Sequence, residues 1–239
     1  MIVRGKNPIA TSTNVCDSFI RLQSINIMCT NFTPIQKPQW VKDAFGVDLP
    51  SSFPPETYPG FVAPIVVQSH QTARVACGLA KFGLIPGWAK DEKISRHTYN
   101  ARSETASEKP SYRTAWRQRQ YGLVLLENFF EPSYQSGKAV RWKIGLASGD
   151  PFGIACLWDR WTDPGTGELV VSFSMLTVNA DEHPVMKQFH KQGDEKRTPV
   201  IVPPELHKAW LAATPKEAAS FMSWQQMPAL YAEAAPLNA

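Results

Sequence analysis

The sequence contains few cysteines and none of the arrangements that hold a metal ion or a disulfide framework. Its 239 residues include four cysteines, namely Cys16, Cys29, Cys77 and Cys156. They are widely separated, with no CxxC pair and no cluster of cysteine with histidine. Structural zinc sites and disulfide-rich domains depend on such clusters. We therefore expect no metal, no other cofactor and a reducing, cytoplasmic environment.

The sequence also lacks a long apolar run, an internal repeat and a low-complexity tract. No segment approaches the roughly 20 consecutive apolar residues of a membrane-spanning helix. Residues 1–28 lack both the apolar region and the small-residue cleavage site of a signal peptide. No shift in composition divides the chain, of which 43% is hydrophobic. We expect a single packed domain without a membrane partner.

The pattern of apolar and turn-forming residues predicts an α+β fold. Runs rich in β-branched residues predict strands at 61–67, 74–84, 120–126, 140–146, 153–158, 169–178 and 199–202. Helical periodicity and capping residues predict helices at 35–46, 103–118, 204–212 and 215–223. Because strands and helices do not alternate regularly, we predict a mainly antiparallel sheet with flanking helices, and this sheet could close into a barrel.

A basic segment with interleaved aromatic residues lies between residues 96 and 119. The chain has a net charge of +4 and an isoelectric point of about 8.9, and this segment carries six of its basic residues. Such mixtures bind phosphates and stacked bases, so Arg113 and Arg117 are candidate DNA-binding residues. The alternative is the solvated basic face of a helix, which is the commoner role of a charged run.

Six short segments occur in an order that carries a family resemblance. They are residues 82–90 (FGLIPGWAK), 100–105 (NARSET), 127–131 (ENFFE), 156–161 (CLWDRW), 173–177 (FSMLT) and 190–201, which contains RTPVI. Together with Met28 and Cys29, this ordered set of segments resembles the SRAP (SOS-response-associated peptidase) family. The resemblance extends from Met28 to about Trp210. The resemblance implies the SRAP fold for residues 29–239.

The resemblance also implies a function, namely covalent capture of abasic sites in single-stranded DNA. Family members begin Met-Cys and lose the methionine, which exposes the cysteine. Met28 and Cys29 have this form, but residues 1–27 precede them. We interpret residues 1–28 as a leader: either translation starts at Met28, or the leader is removed by the protein itself or by another protease. We expect a monomer that is cytoplasmic and associates with the nucleoid when bound to damaged DNA.

The chemistry of an abasic site explains why Cys29 must be the N-terminal residue. The opened sugar is an aldehyde; an amine converts it to a Schiff base, and a neighbouring thiol can then close a thiazolidine ring. An α-amine titrates at about pH 7.7–8.0, against about 10.4 for a lysine side chain, so part of it is a free nucleophile at neutral pH. A cysteine without such a role is usually a small buried apolar residue.

Three further residues are predicted to take part in this chemistry. The resemblance places general acid/base groups at Glu131 and His190, because Schiff-base formation and ring closure both need proton transfers. His183 is a rival to His190, which we prefer because it leads into the RTPVI segment. The amide of Asn100 is suited to orienting the cysteine amine or binding the sugar oxygen. Each of these residue types is also common in purely structural roles, such as a capping asparagine.

DNA contacts are predicted at Arg102, Trp88 and Pro64. Arg102 can bind the phosphates that flank the lesion in a bidentate geometry, or it could instead pair with Glu104. Trp88 and Pro64 resemble family positions that stack on bases or wedge between them, although a tryptophan in an apolar run is more often a core residue. The asparagine that the family has close to Pro64 is missing here.

Two alternative functions use the same residues. A cysteine peptidase acting on its own leader or on other proteins would use Cys29 as the nucleophile and His190 as the base. A non-covalent binder of single-stranded DNA would need only charge and stacking. The binder would not require Cys29, Asn100, Glu131 and His190 together.

Overall fold

Strands outnumber helices in the part of the chain that the computed structural model describes, residues 31–237. The strands are β1 (Asn31–Pro34), β2 (Val62–Gln68), β3 (Val75–Phe82), β4 (Asn100–Arg102), β5 (Tyr121–Ser133), β6 (Val140–Leu146), β7 (Phe152–Thr162), β8 (Leu169–Asn179), β9 (Arg197–Pro199), β10 (Ile201–Val202) and β11 (Leu230–Ala234). The helices are α1 (Pro38–Phe45), α2 (Ser103–Ala106), α3 (Arg113–Arg117), α4 (His207–Ala212) and α5 (Pro215–Ser220). Short 3₁₀ helices lie at Glu92–His97, Met186–Gln188, Pro204–Leu206 and Trp224–Gln226. This content confirms the predicted α+β class.

Five long strands form a closed ring in the order β2, β3, β8, β7, β5 and back to β2. The contact between β3 and β8 is parallel, and the other four contacts of the ring are antiparallel. Outside the ring, β6 and β1 pair with β5, β11 pairs with β6, β4 and β9 pair with β8, and β10 pairs with β7. The predicted antiparallel sheet and its closure into a barrel are therefore confirmed.

Alternate residues of β5 enter two different apolar clusters. Leu123 and Leu125 pack into the cluster that contains Trp210 of α4, whereas Val124 and Leu126 pack into the cluster to which all five ring strands contribute. Full burial of one such side chain stabilises the fold by about 1.5–3 kcal/mol. Because both faces of this part of β5 are covered, residues 121–126 form a continuous apolar run rather than an alternating pattern.

The described helices are shorter than predicted. The helix predicted at 103–118 is wrong in its extent, because residues 107–112 separate α2 from α3. Pro110 lies in this gap; it has no N–H group and it disfavours a helical conformation at the preceding residue. The capping residue of α5 is Thr214, whose side chain accepts a hydrogen bond from the Glu217 N–H. No helix between residues 31 and 237 combines the length and apolar character needed to cross a bilayer.

Strand β5 is longer than predicted, and its extension carries a candidate site residue. It continues past Leu126 to Ser133, with Glu131 opposite Trp142 of β6. Glutamate, asparagine and proline are all depleted in strands, so this extension has a weak sequence signal. Strands β1, β4 and β11 are absent from the sequence prediction, because each is too short to give a clear pattern.

Gly83 shapes the turn that leads from β3 towards β4. Its φ is +119°, and a Cβ at this position would clash with the carbonyl oxygen of Ser95. Its N–H donates to the carbonyl oxygen of Phe173 at 2.9 Å. Only a residue without a side chain allows this close approach, which packs the 3₁₀ helix Glu92–His97 against the end of β3.

Candidate active site

A buried carboxylate and a buried imidazole meet at the end of β5. The Glu131 Oε2 and His190 Nε2 atoms are 3.1 Å apart, and the two side chains are 1% and 5% exposed, respectively. Strand β5 supplies Glu131, and the segment after the 3₁₀ helix Met186–Gln188 supplies His190. The structure thus brings together the two residues that were predicted as general acid and base.

Backbone and neighbouring side-chain contacts hold the segment that carries His190 in place. The N–H of His190 donates to the carbonyl oxygen of Pro132 at 3.2 Å. The preceding residue, Phe189, is buried, and its ring centre lies 5.9 Å from that of Trp142. The φ of His190 is +64°, a left-handed conformation that costs a non-glycine residue about 1–3 kcal/mol. These contacts offset that cost.

Opposing effects set the pKa of His190. Burial disfavours the charged imidazolium, whereas the hydrogen bond to Glu131 and the negative charge of that carboxylate favour it. The carboxylate outweighs burial, so the pKa of His190 lies above its ordinary value of 6.5. The hydrogen-bonded carboxylate thus favours the imidazolium, the form of His190 that can donate a proton.

His183, the rival candidate, has a structural position instead. Its Nδ1 accepts hydrogen bonds of 3.1 Å from the backbone N–H groups of residues 185 and 186, and its ring centre lies 5.2 Å from that of Trp224. Burial lowers the pKa of His183. The histidine beside Glu131 is therefore His190, as preferred from the sequence.

Asn100 and Arg102 lie on β4, which is attached to β8 rather than to β5. The two strands run parallel, with Arg102 opposite Thr177. The Tyr112 hydroxyl donates to the backbone carbonyl oxygen of Asn100 at 3.1 Å. Ala101 between them is fully buried, and because side chains alternate along a strand, Asn100 and Arg102 share the opposite face.

Arg102 belongs to a charged cluster that was not predicted from the sequence. Its Nη1 lies 2.5 Å from the Glu195 carboxylate, and the same carboxylate lies 2.5 Å from Nη1 of Arg197. Arg197 also pairs with Glu104 at 2.7 Å. The alternative pairing of Arg102 with Glu104 is therefore wrong. Arg102 and Glu195 are 93 residues apart in the chain, and no local pattern indicates such a pair.

A second polar network holds β1 against its neighbours. The Glu56 carboxylate accepts hydrogen bonds from the side chains of Asn31, Tyr58 and Arg141. The guanidinium of Arg141 also lies 3.2 Å from the centre of the Phe130 ring, a cation–π arrangement. This network ties Asn31 of β1 to Glu56, and it too was not predicted.

Cys29, the predicted nucleophile, lies outside the described residues. The described part of the chain begins with β1, where Asn31 pairs with Phe130, the residue before Glu131. The chain therefore enters the described structure beside the Glu131–His190 pair.

The two cysteines that the structure describes are poor nucleophiles. Burial raises the pKa of Cys77 to about 12, and it also raises the pKa of Cys156, which is fully buried. Thiols with such pKa values are protonated at neutral pH, and the thiolate is the reactive form. Within residues 31–237 there is also no group of three or more histidine, cysteine, aspartate or glutamate side chains placed to hold a metal ion.

Trp88 and two arginines of α3 are on the surface. Trp88 is 57% exposed, so the alternative of a core tryptophan is wrong. Its Nε1 donates to the carbonyl oxygen of Pro110 at 3.2 Å, which ties it to the segment before α3. Arg113 and Arg117 are exposed and lie one turn apart on that helix. These three residues are accessible to a ligand.

Pro64 does not have the accessible position that we expected. It is buried within β2, a strand of the barrel ring, where it lies opposite Leu79 of β3. Neighbouring strands cover β2 on both edges. The exposed residues near this point are Phe61 and Val62, at the start of the strand.

Fold and site together define a single-domain α+β barrel protein with a buried glutamate–histidine pair close to β1. The family model described as SOS response associated peptidase (SRAP) matches residues 28–237. The chain therefore belongs to the SRAP family, which confirms the resemblance seen in the sequence.

Two relatives have related names, and a protein of known structure shares the fold. Abasic site processing protein YoqW of Bacillus subtilis (strain 168) is 32% identical over 191 residues, which cover 77% of this chain and 80% of that protein. Abasic site processing protein YobE of the same organism is 31% identical over 191 residues, which cover 77% and 82%. A protein from Bordetella bronchiseptica with a known crystal structure has 30% sequence identity to this chain. The structural alignment covers 87% of this chain and 100% of that protein's chain, with a TM-score of 0.78.

Proposed function

We propose that this protein captures abasic sites in single-stranded DNA as a covalent thiazolidine formed by Cys29. The observation that carries the proposal is the buried Glu131–His190 pair beside the first strand. Its support from relatives is that YoqW and YobE are named abasic site processing proteins. The pKa of His190 is raised by Glu131, which favours the imidazolium that the reaction needs as a general acid.

Chain connectivity supports the choice of Cys29 as the partner of this pair. Cys29 precedes Asn31 by two residues, and Asn31 pairs with Phe130, next to Glu131. Two residues of fully extended chain span about 7 Å at most. The chain therefore limits how far a nucleophile at position 29 can be from Asn31, which pairs with the residue before Glu131.

The proposed reaction consumes the aldehyde of the abasic sugar and releases one water. The Cys29 amine adds to the aldehyde carbon, and His190, as the imidazolium, protonates the hydroxyl group that then leaves as water. Loss of this water leaves an iminium, whose carbon is attacked by the Cys29 sulfur. The thiol proton returns to His190, and the electron pair of the C=N double bond moves to the nitrogen, which gives a neutral thiazolidine. Glu131 stabilises the imidazolium and relays protons through its hydrogen bond. Ring closure removes the iminium that drives β-elimination, so strand cleavage is suppressed.

The surface residues are proposed to bind the strand on either side of the lesion. Arg102, Arg113 and Arg117 would contact phosphates, and the exposed ring of Trp88 would stack on a base. Asn100 would orient the Cys29 amine or the sugar oxygen. Such contacts suit a single strand, whose bases are free to stack on a side chain.

The experiment uses protein that begins at Cys29 and a single-stranded oligonucleotide with one abasic site, and it counts adducts on a denaturing gel. We expect Cys29→Ala to form no stable adduct and still to bind single strands non-covalently. The matched control is Cys77→Ala, which should react at the parent rate because the Cys77 thiol is protonated. A heat-stable adduct in Cys29→Ala would instead indicate a lysine Schiff base and would contradict the proposal.

A second activity is suggested by the residues that precede Cys29 and by the peptidase in the family's description. In this reaction the Cys29 thiolate attacks the carbonyl carbon of Met28, which transfers the leader to sulfur as a thioester, and water then releases it. The product is the free amine that the first reaction needs. Intact mass of protein from the full reading frame should show loss of residues 1–28 in the parent and their retention in Cys29→Ala. Equal loss in both would assign the cleavage to another protease.

A further inference from the structure

We infer that Glu195 competes with DNA phosphate for Arg102, and that it thereby keeps the protein weakly bound to undamaged single strands. This inference rests on the proposed function, in which Arg102 is a phosphate contact. It assigns to Glu195 the role of a specificity-determining residue. Strands without a lesion would dissociate quickly, whereas an abasic strand would be retained by the covalent bond.

The first observation is the geometry of the Glu195 carboxylate. Its Oε2 lies 2.5 Å from Nη1 of Arg102, and its Oε1 lies 2.5 Å from Nη1 of Arg197. The side-chain amide of Asn179 also donates to Oε1, at 3.3 Å. Two anionic oxygens thus bridge two guanidinium groups, which is the way in which a phosphate group binds a pair of arginines. Glu195 occupies the position that a phosphate would need at Arg102.

The second observation is that the two arginines differ in burial and in number of partners. The Arg197 side chain is 2% exposed and has further hydrogen bonds to Glu104 and to both oxygen atoms of Thr177. The Arg102 side chain is 45% exposed. A phosphate can therefore approach Arg102 from solvent while Glu195 remains bound to Arg197. The exchange needs only a rotation of the Arg102 side chain.

The third observation is that the backbone next to Glu195 is anchored. The N–H of Lys196 donates to Asp181 at 2.9 Å, and its carbonyl oxygen accepts from the N–H of Ala180 at 2.7 Å. The Lys196 ammonium also donates to the carbonyl oxygen of Lys191 at 2.5 Å. The carboxylate is therefore held beside Arg102, and it competes with DNA as an intramolecular ligand.

The test compares Glu195→Gln with Glu104→Gln in binding to an undamaged single-stranded oligonucleotide. Both substitutions remove one negative charge and one partner of Arg197, but Glu195 alone of the two contacts Arg102. We expect Glu195→Gln to bind about two- to fivefold more tightly than Glu104→Gln, the size of effect found for a partly exposed ion pair. Most of the change should be a slower dissociation rate. Thermal unfolding checks that both variants are folded.

The same comparison in an Arg102→Ala background tests whether the gain in affinity depends on Arg102. There the two glutamine variants should bind equally, because no guanidinium remains to be released. If Glu195 is needed for folding, Glu195→Asp provides the second variant, and its shorter carboxylate should give a smaller gain in affinity.

The inference would be overturned if the two variants bound single-stranded DNA with equal affinity in the parent background. It would also be overturned if Glu195→Gln had the same advantage in affinity over Glu104→Gln in the Arg102→Ala background. In either case, an adduct that still requires Cys29 would leave the proposed function intact. If neither the parent nor any variant bound single-stranded DNA, the inference and the proposed function would both be wrong.

Discussion

The segment from His190 to Arg197 has an ion-pair site at each end, and the two sites differ in their surroundings. At one end, His190 and Glu131 have side chains that are 5% and 1% exposed, and the backbone of His190 is tied to β5. At the other end, the side chains of Arg102 and Glu195 are 45% and 31% exposed. The first pair is shielded from water, and the second is open to it.

This difference separates two tasks. In a shielded site, a nearby charge acts strongly on a titrating group because water does not screen it, which suits proton transfer. In an exposed site, an ion pair is worth little and its partners can be exchanged, which suits reversible binding of a phosphate. The buried pair is thus the better candidate for chemistry, and the exposed pair for recognition.

The largest predicted effect is on the rate of adduct formation, and it is expected from substitutions in the buried Glu131–His190 pair. Glu131→Gln and His190→Ala should each slow adduct formation by about 10² to 10⁴-fold, the usual effect of losing a general acid or base. In the double variant, the increase in activation free energy should be smaller than the sum of the two single increases, because the two groups serve one sequence of proton transfers. Single-turnover crosslinking rates measure this. Parent rates in both single variants would refute the acid/base roles.

The next effect concerns the two arginines that share Glu195. Arg197→Ala should lower the free energy of unfolding by about 1–3 kcal/mol, because it removes the donor of two hydrogen bonds to the buried oxygen atoms of Thr177, whereas Arg102→Ala should lower it by less than about 1 kcal/mol. Denaturant unfolding of both variants checks the prediction. Similar losses in the two would show that burial does not distinguish the arginines.

A smaller effect is expected on DNA binding. Arg102→Ala should weaken binding to all single strands and reduce the log–log salt slope by about one unit or less, as expected on losing one phosphate contact. Titrations at several salt concentrations measure the slope. An unchanged slope would make Arg102 a structural residue only.

The smallest effect is a pH dependence of stability. The carboxylate of Glu131 raises the folded-state pKa of His190 above the ordinary 6.5, so the folded state binds the proton more tightly than the unfolded state does. The contribution of the pair to stability is then fully present below about pH 6.5 and is lost as the pH rises through the folded-state pKa. The difference in unfolding free energy between the parent and His190→Gln should shrink over this range. A difference that does not change with pH would contradict the ion pair.

The long barrel strands could be predicted from sequence because burial on both faces leaves a continuous apolar run, as in residues 121–126. The extension of β5 to Glu131 could not, because its charged residues and its proline resemble a loop. It is stabilised as a strand by pairing with β1 and β6, and these are contacts that local sequence does not encode. The same reason explains why the short strands β4 and β9 on β8 were missed or only partly predicted.

The candidate site was predictable only as far as the ordered motifs reached. Glu131 and His190 are 59 residues apart in the chain, and the motifs, not any periodicity, indicated them both. Glu195 and Arg197 lie within the last motif, but their partners Arg102 and Glu104 come from the motif at 100–105. Pairing between charged residues depends on how β4 and β9 flank β8, which the sequence alone does not show.

The most direct test of the central claim compares two homogeneous proteins, one that begins at Cys29 and one that retains residues 1–28. Each is incubated with single-stranded DNA that contains one abasic site, and its rate of adduct formation and its intact mass are measured. The account predicts that every adduct contains protein that begins at Cys29, with the mass of that protein plus DNA less one water, and that the longer protein reacts only as it loses residues 1–28. Equally fast crosslinking by the protein that retains residues 1–28 would contradict it, because that protein has no free amine on Cys29.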